Sequence, residues 1–520
     1  MNKNRYLQDA EHYIEENRKN VNKRYRHTYH VMPPIGWMND PNGFSFFGEQ
    51  YHLFYQYYPY DTQWGPMFWG HVVSDDLLDW KTVPLALSPG ECFDRHGVFS
   101  GTALEINEKL YLYYTGVYDE NIEKEYDENL KKRKRPIEIE GNNTIKQVQC
   151  LAISEDGIHF QKKGEILGSN MIRQNGRVED FRDPKVWTYK EKFYMVVGSK
   201  SVDYRAQVLF YVSDDGVHFD YLNYFSLGKE YGSVWECPDI FEMGGKHIMI
   251  ISPQEKPKVE KAENIFATFA LIGTFDYEKG QFSLERVQNL DFGFDFYAPQ
   301  TIESKTGKRV LIAWMNMWGR DYALHRINHG WNGSMTIPRE LELKDDCIIQ
   351  YPSEALKTYR RDYYHSPIKY IDGSYIDEKM NGDTVDIELE FNMAESNFLY
   401  IDLLKAVNTS WECDEALTLS FDKESGEIKL DRSKSSLINV SENLENDYER
   451  LIHTNLKGDI KLRILLDVSS CEIFINDGEY VMTALFYKKE IESRFEIRSV
   501  GKTHIVALEK WKINQSLRYE

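Results

Sequence analysis

The sequence predicts an all-β protein: a five-bladed β-propeller followed by a C-terminal β-sandwich, with a short N-terminal helix. Three observations predict this fold class. A hairpin pattern recurs five times before residue 350, a turn pattern recurs three times within the same region, and residues 366–520 change to a series of alternating strands. We expect four parts, namely an N-terminal helical segment at 1–30, a five-bladed β-propeller domain at 31–350, a linker at 351–365 and a β-sandwich domain at 366–520.

The composition and net charge disfavour two kinds of partner. The chain has 520 residues with 63 Lys and Arg against 83 Asp and Glu, a net charge of −20. This charge disfavours nucleic acid or an anionic membrane as the main partner. An aromatic content of 14% fits sugar stacking, although a large core would also explain it.

The sequence is typical of a cytoplasmic protein. No apolar run approaches the roughly 20 residues that span a bilayer. The polar segment Met1 to Asn20 does not resemble a secretory signal. The six cysteines lack metal-type pairing, so we interpret them as reduced thiols.

The N-terminal segment has a helical period. Residues 6–26 are predicted to form a helix, because an apolar stripe runs along one face at Tyr6, Leu7, Ala10, Tyr13 and Ile14. We expect this helix to pack on the main body, and a partner-binding helix is the alternative.

The repeated hairpins define the propeller. Each has a turn, a polar residue and an apolar strand, and their starts lie 59, 83, 54 and 62 residues apart, at Gly48–Tyr55, Asn107–Tyr114, Lys190–Val197, Gly244–Ile251 and Thr306–Ala313. We assign the 83-residue interval to a charge-rich insertion at 119–146. Its basic run at 131–135 is interpreted as a solvated loop rather than a nucleic-acid patch.

A second repeat marks the outer strands. It places a Ser, an acidic pair and a closing aromatic residue around a turn, at Ser74–Trp80, Ser154–Phe160 and Ser213–Phe219. Units of about four strands repeated five times indicate a five-bladed propeller.

The C-terminal region alternates apolar and polar residues. Strands are predicted at 385–391, 417–421, 462–466 and 472–475, and Asn476-Asp477-Gly478 is a hairpin signal. Many short strands at this spacing favour a β-sandwich. We find no plausible catalytic constellation in this region.

Three carboxylates precede the repeated hairpins, where the innermost strand of a blade should open at one mouth of the channel. They are Asp40 in Trp37-Met38-Asn39-Asp40-Pro41-Asn42-Gly43, Asp183 in Phe181-Arg182-Asp183-Pro184 and Glu236 in Trp235-Glu236-Cys237-Pro238. Acidic side chains that converge on one place raise the pKa of at least one of them. An active site for glycoside cleavage would use this arrangement, because the reaction requires one ionised and one protonated carboxyl group.

Two alternatives to an active site remain for these acids. The first is that they are surface turn residues that never meet, and the second is that they are oxygen ligands for Ca²⁺ or Mg²⁺. The neighbouring tryptophans favour a sugar-binding face, and they are Trp37, Trp64, Trp69, Trp235 and Trp314.

The three motifs together resemble glycoside hydrolase family 32, the family of invertases, sucrose-6-phosphate hydrolases and fructan exohydrolases. The resemblance extends from Tyr25 to the strand at 469–474. It implies a propeller with a sandwich and a retaining β-fructofuranosidase acting on a sugar, with no cofactor and no metal. It also implies that the carboxyl groups of Asp40 and Glu236 lie about 5–5.5 Å apart.

The resemblance implies a role for each site residue. Asp40 is the expected nucleophile, Glu236 the acid and base, and Asp183 the stabiliser of the transition state. The fructose pocket is expected to include Asn39, Gln56, Trp64, Ser100 and Arg182, with walls from Trp37, Phe99, Tyr297 and Trp314.

The leaving-group side is less defined. Arg320, His325, Arg326 and His329 either bind a phosphate or belong to a solvated loop. The substrate therefore stays open among sucrose, sucrose 6-phosphate and short fructo-oligosaccharides. The rival functions are a fructosyltransferase, a non-catalytic sugar-binding propeller and an arabinose- or xylose-releasing propeller enzyme. A homo-oligomer through the sandwich is a further hypothesis.

Overall fold

The computed structural model describes residues 5–119, 144–257, 264–406, 415–435, 437–441, 448–489 and 493–514. The predicted surface loop at 119–146 lies almost wholly outside these residues. In the described part of the chain, none of the helices has the length and apolarity needed to cross a membrane.

The N-terminal helix is shorter than predicted. Helix α1 spans Arg5–Asn17 and is followed by a 3-10 turn at Arg18–Asn20, after which Val21 is extended. The helical prediction to residue 26 was wrong because tertiary contacts hold the later residues, including a hydrogen bond from Asn22 N to His329 O at 3.0 Å. The predicted stripe packs on the first blade, with Ala10 fully buried.

Five sheets form the propeller, which confirms the predicted fold class; four of them have four strands, and the sheet of the first blade has a fifth, β20 (Trp331–Asn332). Each innermost strand comes first in its sheet and lies beside the channel. The strands of the first three blades are β1 Gly36–Phe47, β2 Gln50–Tyr58, β3 Phe68–Ser74, β4 Lys81–Thr82, β5 Gly97–Ile106, β6 Lys109–Asp119, β7 Ile145–Ser154, β8 Gln161–Leu167, β9 Gly176–Tyr189, β10 Lys192–Ser201, β11 Ala206–Ser213 and β12 Asp220–Ser226.

The last two blades follow in the same way. Their strands are β13 Val234–Met243, β14 Lys246–Gln254, β15 Phe269–Asp276, β16 Gln281–Asn289, β17 Tyr297–Glu303, β18 Arg309–Trp314, β19 Arg320–Asp321, β20 Trp331–Asn332, β21 Arg339–Lys344 and β22 Cys347–Pro352. The short helix α2, Ala323–Arg326, lies between β19 and β20, and single 3-10 turns occur at Ser169–Met171 and Lys229–Tyr231. Strand β20 pairs in parallel with β1 and so ties the end of the propeller to its first blade.

Turn chemistry explains the recurring hairpins. In four of the five, both turn residues have positive φ, as a two-residue type I′ turn requires, for example Asn107 at 50° and Glu108 at 61°. The second repeat is also a local device. In each copy an aspartate accepts backbone N–H bonds from residues two and three positions later, as Asp76 does from Leu78 and Asp79 at 2.9 and 2.8 Å.

The C-terminal strands enclose a separate apolar core, which confirms the predicted sandwich. They are β23 Arg360–His365, β24 Tyr370–Ile376, β25 Val385–Ala406, β26 Thr418–Asp422, β27 Glu427–Asp431, β28 Val440–Ser441, β29 Glu449–His453, β30 Asp459–Asp467, β31 Ser470–Ile475, β32 Tyr480–Leu485 and β33 Ser493–Ile513. Strand β25 pairs with β30 through its first half and with β26 through its second half, and bulges along β25 and β33 bend it between the two layers.

Within the predicted linker, a 3-10 helix spans Glu354–Tyr359 and β23 pairs with β33 of the sandwich. A further 3-10 turn covers Glu378–Met380. The domain boundaries given above stay predictions.

Buried ions join the two domains. Arg339, at the start of β21, is fully buried and pairs with Asp291 at 3.1 Å and with Glu472 of β31 at 2.6 Å. His30 lies between Asp467 at 2.8 Å and Glu472 at 3.0 Å. Burial opposes protonation of His30, but these two carboxylates raise its pKa to about 9. The domain interface is therefore ionic as well as apolar.

Candidate active site

A backbone irregularity positions the predicted site residues. In each of the five innermost strands the pairing register slips at the same level, at Asp40, Ser100, Asp183, Cys237 and Ala298. The last three have φ of 66°, 45° and 50°. Bulges of this kind redirect side chains, and they are frequent beside active sites.

The three carboxylates do not occupy strictly equivalent positions. Asp40 and Asp183 directly precede a proline, whereas Cys237 takes that place in the fourth blade. Glu236 therefore corresponds to Asn39 and Arg182, one residue earlier. Glu236 thus lies one position before the bulge, which Pro238 marks, whereas Asp40 and Asp183 lie at it.

A cavity of about 250 Å³ opens at this level. Nine of the twelve predicted site residues line it, namely Asn39, Asp40, Gln56, Trp64, Phe99, Ser100, Arg182, Asp183 and Glu236. Five further lining residues were not predicted, namely Asp180, Lys200, Val234, Gln254 and Trp318.

The structure places Trp37, Tyr297 and Trp314 behind the cavity wall, where each is fully buried. Trp318 packs on both tryptophans, with ring centroids 6.0 Å from Trp37 and 4.8 Å from Trp314, and it lines the cavity itself. Trp69 and Trp235 belong to the apolar cores of their blades. Of the five tryptophans that suggested a sugar face, Trp64 alone lines this cavity.

Asp40 is held through one oxygen. Ser100 Oγ donates to Asp40 Oδ2 at 2.8 Å, and the Cys237 thiol lies 3.5 Å from the same atom. Among the described residues, the buried Asp40 Oδ1 has no hydrogen-bond partner. Burial, followed by the charges of Glu236 and Asp183, raises the pKa of Asp40 to about 7.

Glu236 is held through both oxygens. Arg182 Nε donates to Glu236 Oε1 at 3.1 Å, and the Tyr297 hydroxyl donates to Oε2 at 2.8 Å. Arg182 also donates to Asp180 Oδ1 at 3.0 Å. The guanidinium and the phenol therefore fix the direction in which this carboxyl faces.

Asp183 is oriented by the next blade. The Cys237 backbone N–H donates to Asp183 Oδ2 at 2.9 Å, and Thr115 Oγ1 accepts from the Asp183 N–H at 2.9 Å. Burial raises the pKa of Asp183, while Arg182 opposes the shift. Burial and the neighbouring acids also raise the pKa of the Cys237 thiol, so it stays a neutral donor.

The predicted phosphate-binding set does not reach the cavity. Arg320 is buried and pairs with Asp295, and Arg326 contacts Asp321 and Ile438 O. His329 stacks on Tyr25 with centroids 5.1 Å apart. His325 Nδ1 lies 2.6 Å from Thr62 Oγ1. Neither interpretation was right for the whole set, because Arg320 is buried in an ion pair whereas Arg326 is exposed.

Within the described residues, one arrangement brings three metal-type ligands together, namely His27, His30 and Asp467. These residues lie at the domain interface and do not line the cavity. Both ring nitrogens of His30 already contact carboxylates, so we interpret the group as an ion cluster.

The sequence carried little signal for the unpredicted lining residues. Asp180 stands two positions before Arg182 on an innermost strand, and this alternation could have identified it. Lys200 and Gln254 lie at or next to the ends of second strands, where no motif marks them. Val234 likewise stands two positions before Glu236 on β13, so the same alternation could have identified it. Trp318 reaches the cavity through tertiary packing.

Comparisons with known proteins agree with this geometry. Residues 30–352 match the family described as "Glycosyl hydrolases family 32 N-terminal domain", and residues 357–512 match "Glycosyl hydrolases family 32 C terminal". A sucrose-6-phosphate hydrolase of Zymomonas mobilis is 36% identical over 464 residues, which cover 87% of this chain and 84% of the relative. A Bombyx mori GH32 beta-fructofuranosidase has a TM-score of 0.79 at 33% identity, covering 99% of both chains. The sucrose-6-phosphate hydrolase of Lactobacillus gasseri has a TM-score of 0.82 at 26% identity, covering 98% of this chain and 97% of the other.

Proposed function

Because the chain belongs to glycosyl hydrolase family 32, we propose that it is a retaining β-fructofuranosidase. It releases terminal β-D-fructofuranosyl residues from sucrose, sucrose 6-phosphate or short fructo-oligosaccharides. The observation that carries the proposal is the convergence of Asp40, Asp183 and Glu236 on one cavity of about 250 Å³.

We assign the nucleophile to Asp40 Oδ1. Ser100 and Cys237 engage the other oxygen, and Oδ1 has no hydrogen-bond partner among the described residues. In the first step Oδ1 bonds to the anomeric carbon of fructose, while the bond from that carbon to the leaving oxygen breaks.

Glu236 is the proposed acid and base. It gives its proton to the leaving oxygen in the first step. In the second step it takes a proton from water, whose oxygen bonds to the anomeric carbon as the bond to Asp40 breaks. Arg182 and Tyr297 hold the carboxyl in place for both transfers.

Asp183 is the proposed ligand of fructose hydroxyl groups. Its carboxylate is fixed by Cys237 and faces the same cavity, so it can stabilise the positive charge that develops on the sugar ring. Asn39, Gln56, Trp64, Phe99 and Arg182 complete the proposed pocket. Trp37, Tyr297 and Trp314 support it from behind.

Fructose release tests the proposal. The wild type should liberate fructose from at least one of sucrose, sucrose 6-phosphate and 1-kestose. Asp40→Ala should abolish turnover while its circular dichroism spectrum stays unchanged, because the covalent step is lost. An Asp40→Ala protein with near-wild-type activity would refute the assignment. Longer oligosaccharides as the main product at high sucrose would instead favour a fructosyltransferase, and binding without turnover a sugar-binding module.

We also propose a cytoplasmic location. Five of the six cysteines are in described residues and all five are free thiols, as expected of a reducing compartment. Fractionation of the source cells with an activity assay tests this location.

Self-association through the sandwich is the remaining proposal. Its supporting observation is a set of exposed apolar residues on β23, β24 and β33, namely Tyr363, Tyr370, Ile376, Val500 and Val506. Light scattering of the wild type and of Val500→Glu measures it, and a monomeric wild type would refute it.

A further inference from the structure

One cation in the cavity, Lys200, has no counter-ion among the residues that the structure describes. Lys200 lines the cavity near the end of β10 and is 4% exposed. Among the described residues no carboxylate oxygen lies within 4.0 Å of its ammonium group. The ammonium nitrogen lies over the ring of Tyr204, 5.0 Å from the ring centroid. A buried, unpaired ammonium group is costly unless a ligand compensates it.

The neighbouring cations show the contrast. Arg182 pairs with Asp180 at 3.0 Å, Arg177 with Glu179 at 2.5 Å and Arg205 with Asp203 at 2.7 Å. The same blade therefore supplies carboxylates to three arginines and none to Lys200.

The backbone places Lys200 on the side of the proposed acid. Two residues earlier, Gly198 packs so closely on the strand that carries Glu236 that an added Cβ would lie 2.2 Å from the carbonyl oxygen of Trp235. Val234 and Gln254, which are paired neighbours on that blade, line the same side of the cavity. Because Glu236 is the proposed proton donor to the leaving group, a cation on this side of the cavity lies next to the half of the substrate that departs.

The segment that carries Lys200 is fixed before any ligand arrives. Lys200 pairs with Ala206 across the β10–β11 hairpin. The connecting turn is held by Ser201 N to Arg205 O at 2.9 Å and by Val202 N to Asn175 O at 2.8 Å. A preorganised cation costs little ordering entropy when an anion binds.

We propose that Lys200 is a specificity-determining residue that binds the phosphate of a phosphorylated leaving-group sugar. This inference rests on the proposed function and selects sucrose 6-phosphate among its substrates. A neutral hexose would not compensate the ammonium group, whereas a phosphate oxygen would. In a chain with a net charge of −20, a local cation is also what an anionic substrate needs in order to enter.

The test compares substrates in matched variants. Lys200→Met removes the charge, Lys200→Arg keeps it, and Lys192→Met removes an exposed lysine from the start of the same strand as the control. The assay is kcat/KM for fructose release from sucrose and from sucrose 6-phosphate. In parallel, calorimetry measures the binding of glucose and of glucose 6-phosphate.

The wild type should prefer sucrose 6-phosphate, and Lys200→Met should lose about tenfold or more of that preference. The loss should fall mainly on the KM for sucrose 6-phosphate. Lys200→Arg should keep most of the preference, and Lys192→Met all of it.

Two results would overturn the inference while leaving the proposed function intact. The first is fructose release from both substrates without a preference for the phosphate, and the second is an equal loss for both in Lys200→Met. If no substrate is cleaved, the proposed function fails, and calorimetry still decides the inference. Glucose 6-phosphate that binds no better than glucose would then overturn it.

Discussion

Replacing Asp40 by Asn should stabilise the folded protein at neutral pH while it removes the proposed nucleophile. Asp40 as a residue is 8% exposed, and the pKa of its carboxyl group rises from 3.8 to about 7 on folding. Each unit corresponds to about 1.4 kcal/mol, so keeping this group ionised in the fold costs up to about 4 kcal/mol. An asparagine of nearly the same shape carries no such cost.

The sign of the pH dependence follows from the direction of the shift. Because the pKa is raised, the folded state binds more protons than the unfolded state between about pH 4 and pH 7. Below this window Asp40 is neutral in both states, and wild type and variant should have similar free energies of unfolding. As the pH rises from about 4 to about 7 the wild type loses stability relative to Asp40→Asn, and above about pH 7 the difference stays constant.

Urea unfolding followed by tryptophan fluorescence measures this difference at pH 4, 6 and 8, with reversibility checked at each pH. Asp372→Asn is the matched control, because Asp372 lies exposed on β24 of the sandwich. A difference that is constant from pH 4 to pH 8 would refute the reasoning. So would a variant that is less stable than wild type at pH 8.

Three further variants follow from contacts described above. Ser100→Ala removes a hydrogen bond that lowers the pKa of Asp40. The acidic limb of the kcat/KM profile should therefore move to higher pH, and activity at pH 6 should fall about tenfold. An acidic limb that does not move would contradict this reasoning. Gly198→Ala places a Cβ 2.2 Å from the backbone carbonyl oxygen of Trp235, so the two strands must move apart. Both the melting temperature and kcat should fall, and an unchanged melting temperature would show that the strand has room to move. The raised pKa of His30 contributes stability that is complete below about pH 6.5 and is lost as the pH rises through about 9. In denaturant titrations between pH 7 and pH 10 the wild type should therefore lose more stability than His30→Gln. An equal loss of unfolding free energy in the two proteins would argue against a charged His30.

Repetition made the fold predictable from the sequence. The hairpins and the Ser-Asp turns are local devices, and each copy carries its own turn residues, as Asn107 and Glu108 do. The end of the N-terminal helix was not predictable in this way, because the bond from Asn22 to His329 joins residues far apart in the chain.

The same distinction applies to the site. Asp40, Asp183 and Glu236 stand in motifs with prolines that mark the bulges, so the sequence could identify them. Lys200 reaches the cavity through strand pairing and the packing of one blade on the next, and no sequence motif beside it indicates this position. Arg320 shows the opposite error, because a basic residue near the motif proved to be a partner of Asp295.

The ions between the propeller and the sandwich limit how this architecture can be recombined. Separating the domains would leave the fully buried Arg339 without Glu472, and removing one partner of a buried pair typically costs about 3–5 kcal/mol. A sandwich taken from a relative would have to supply acids at the positions of Asp467 and Glu472. Domain grafts across this boundary should therefore succeed only when both sides of the ion network are transferred together. The propeller and the sandwich are thus expected to be exchangeable between relatives only as one unit.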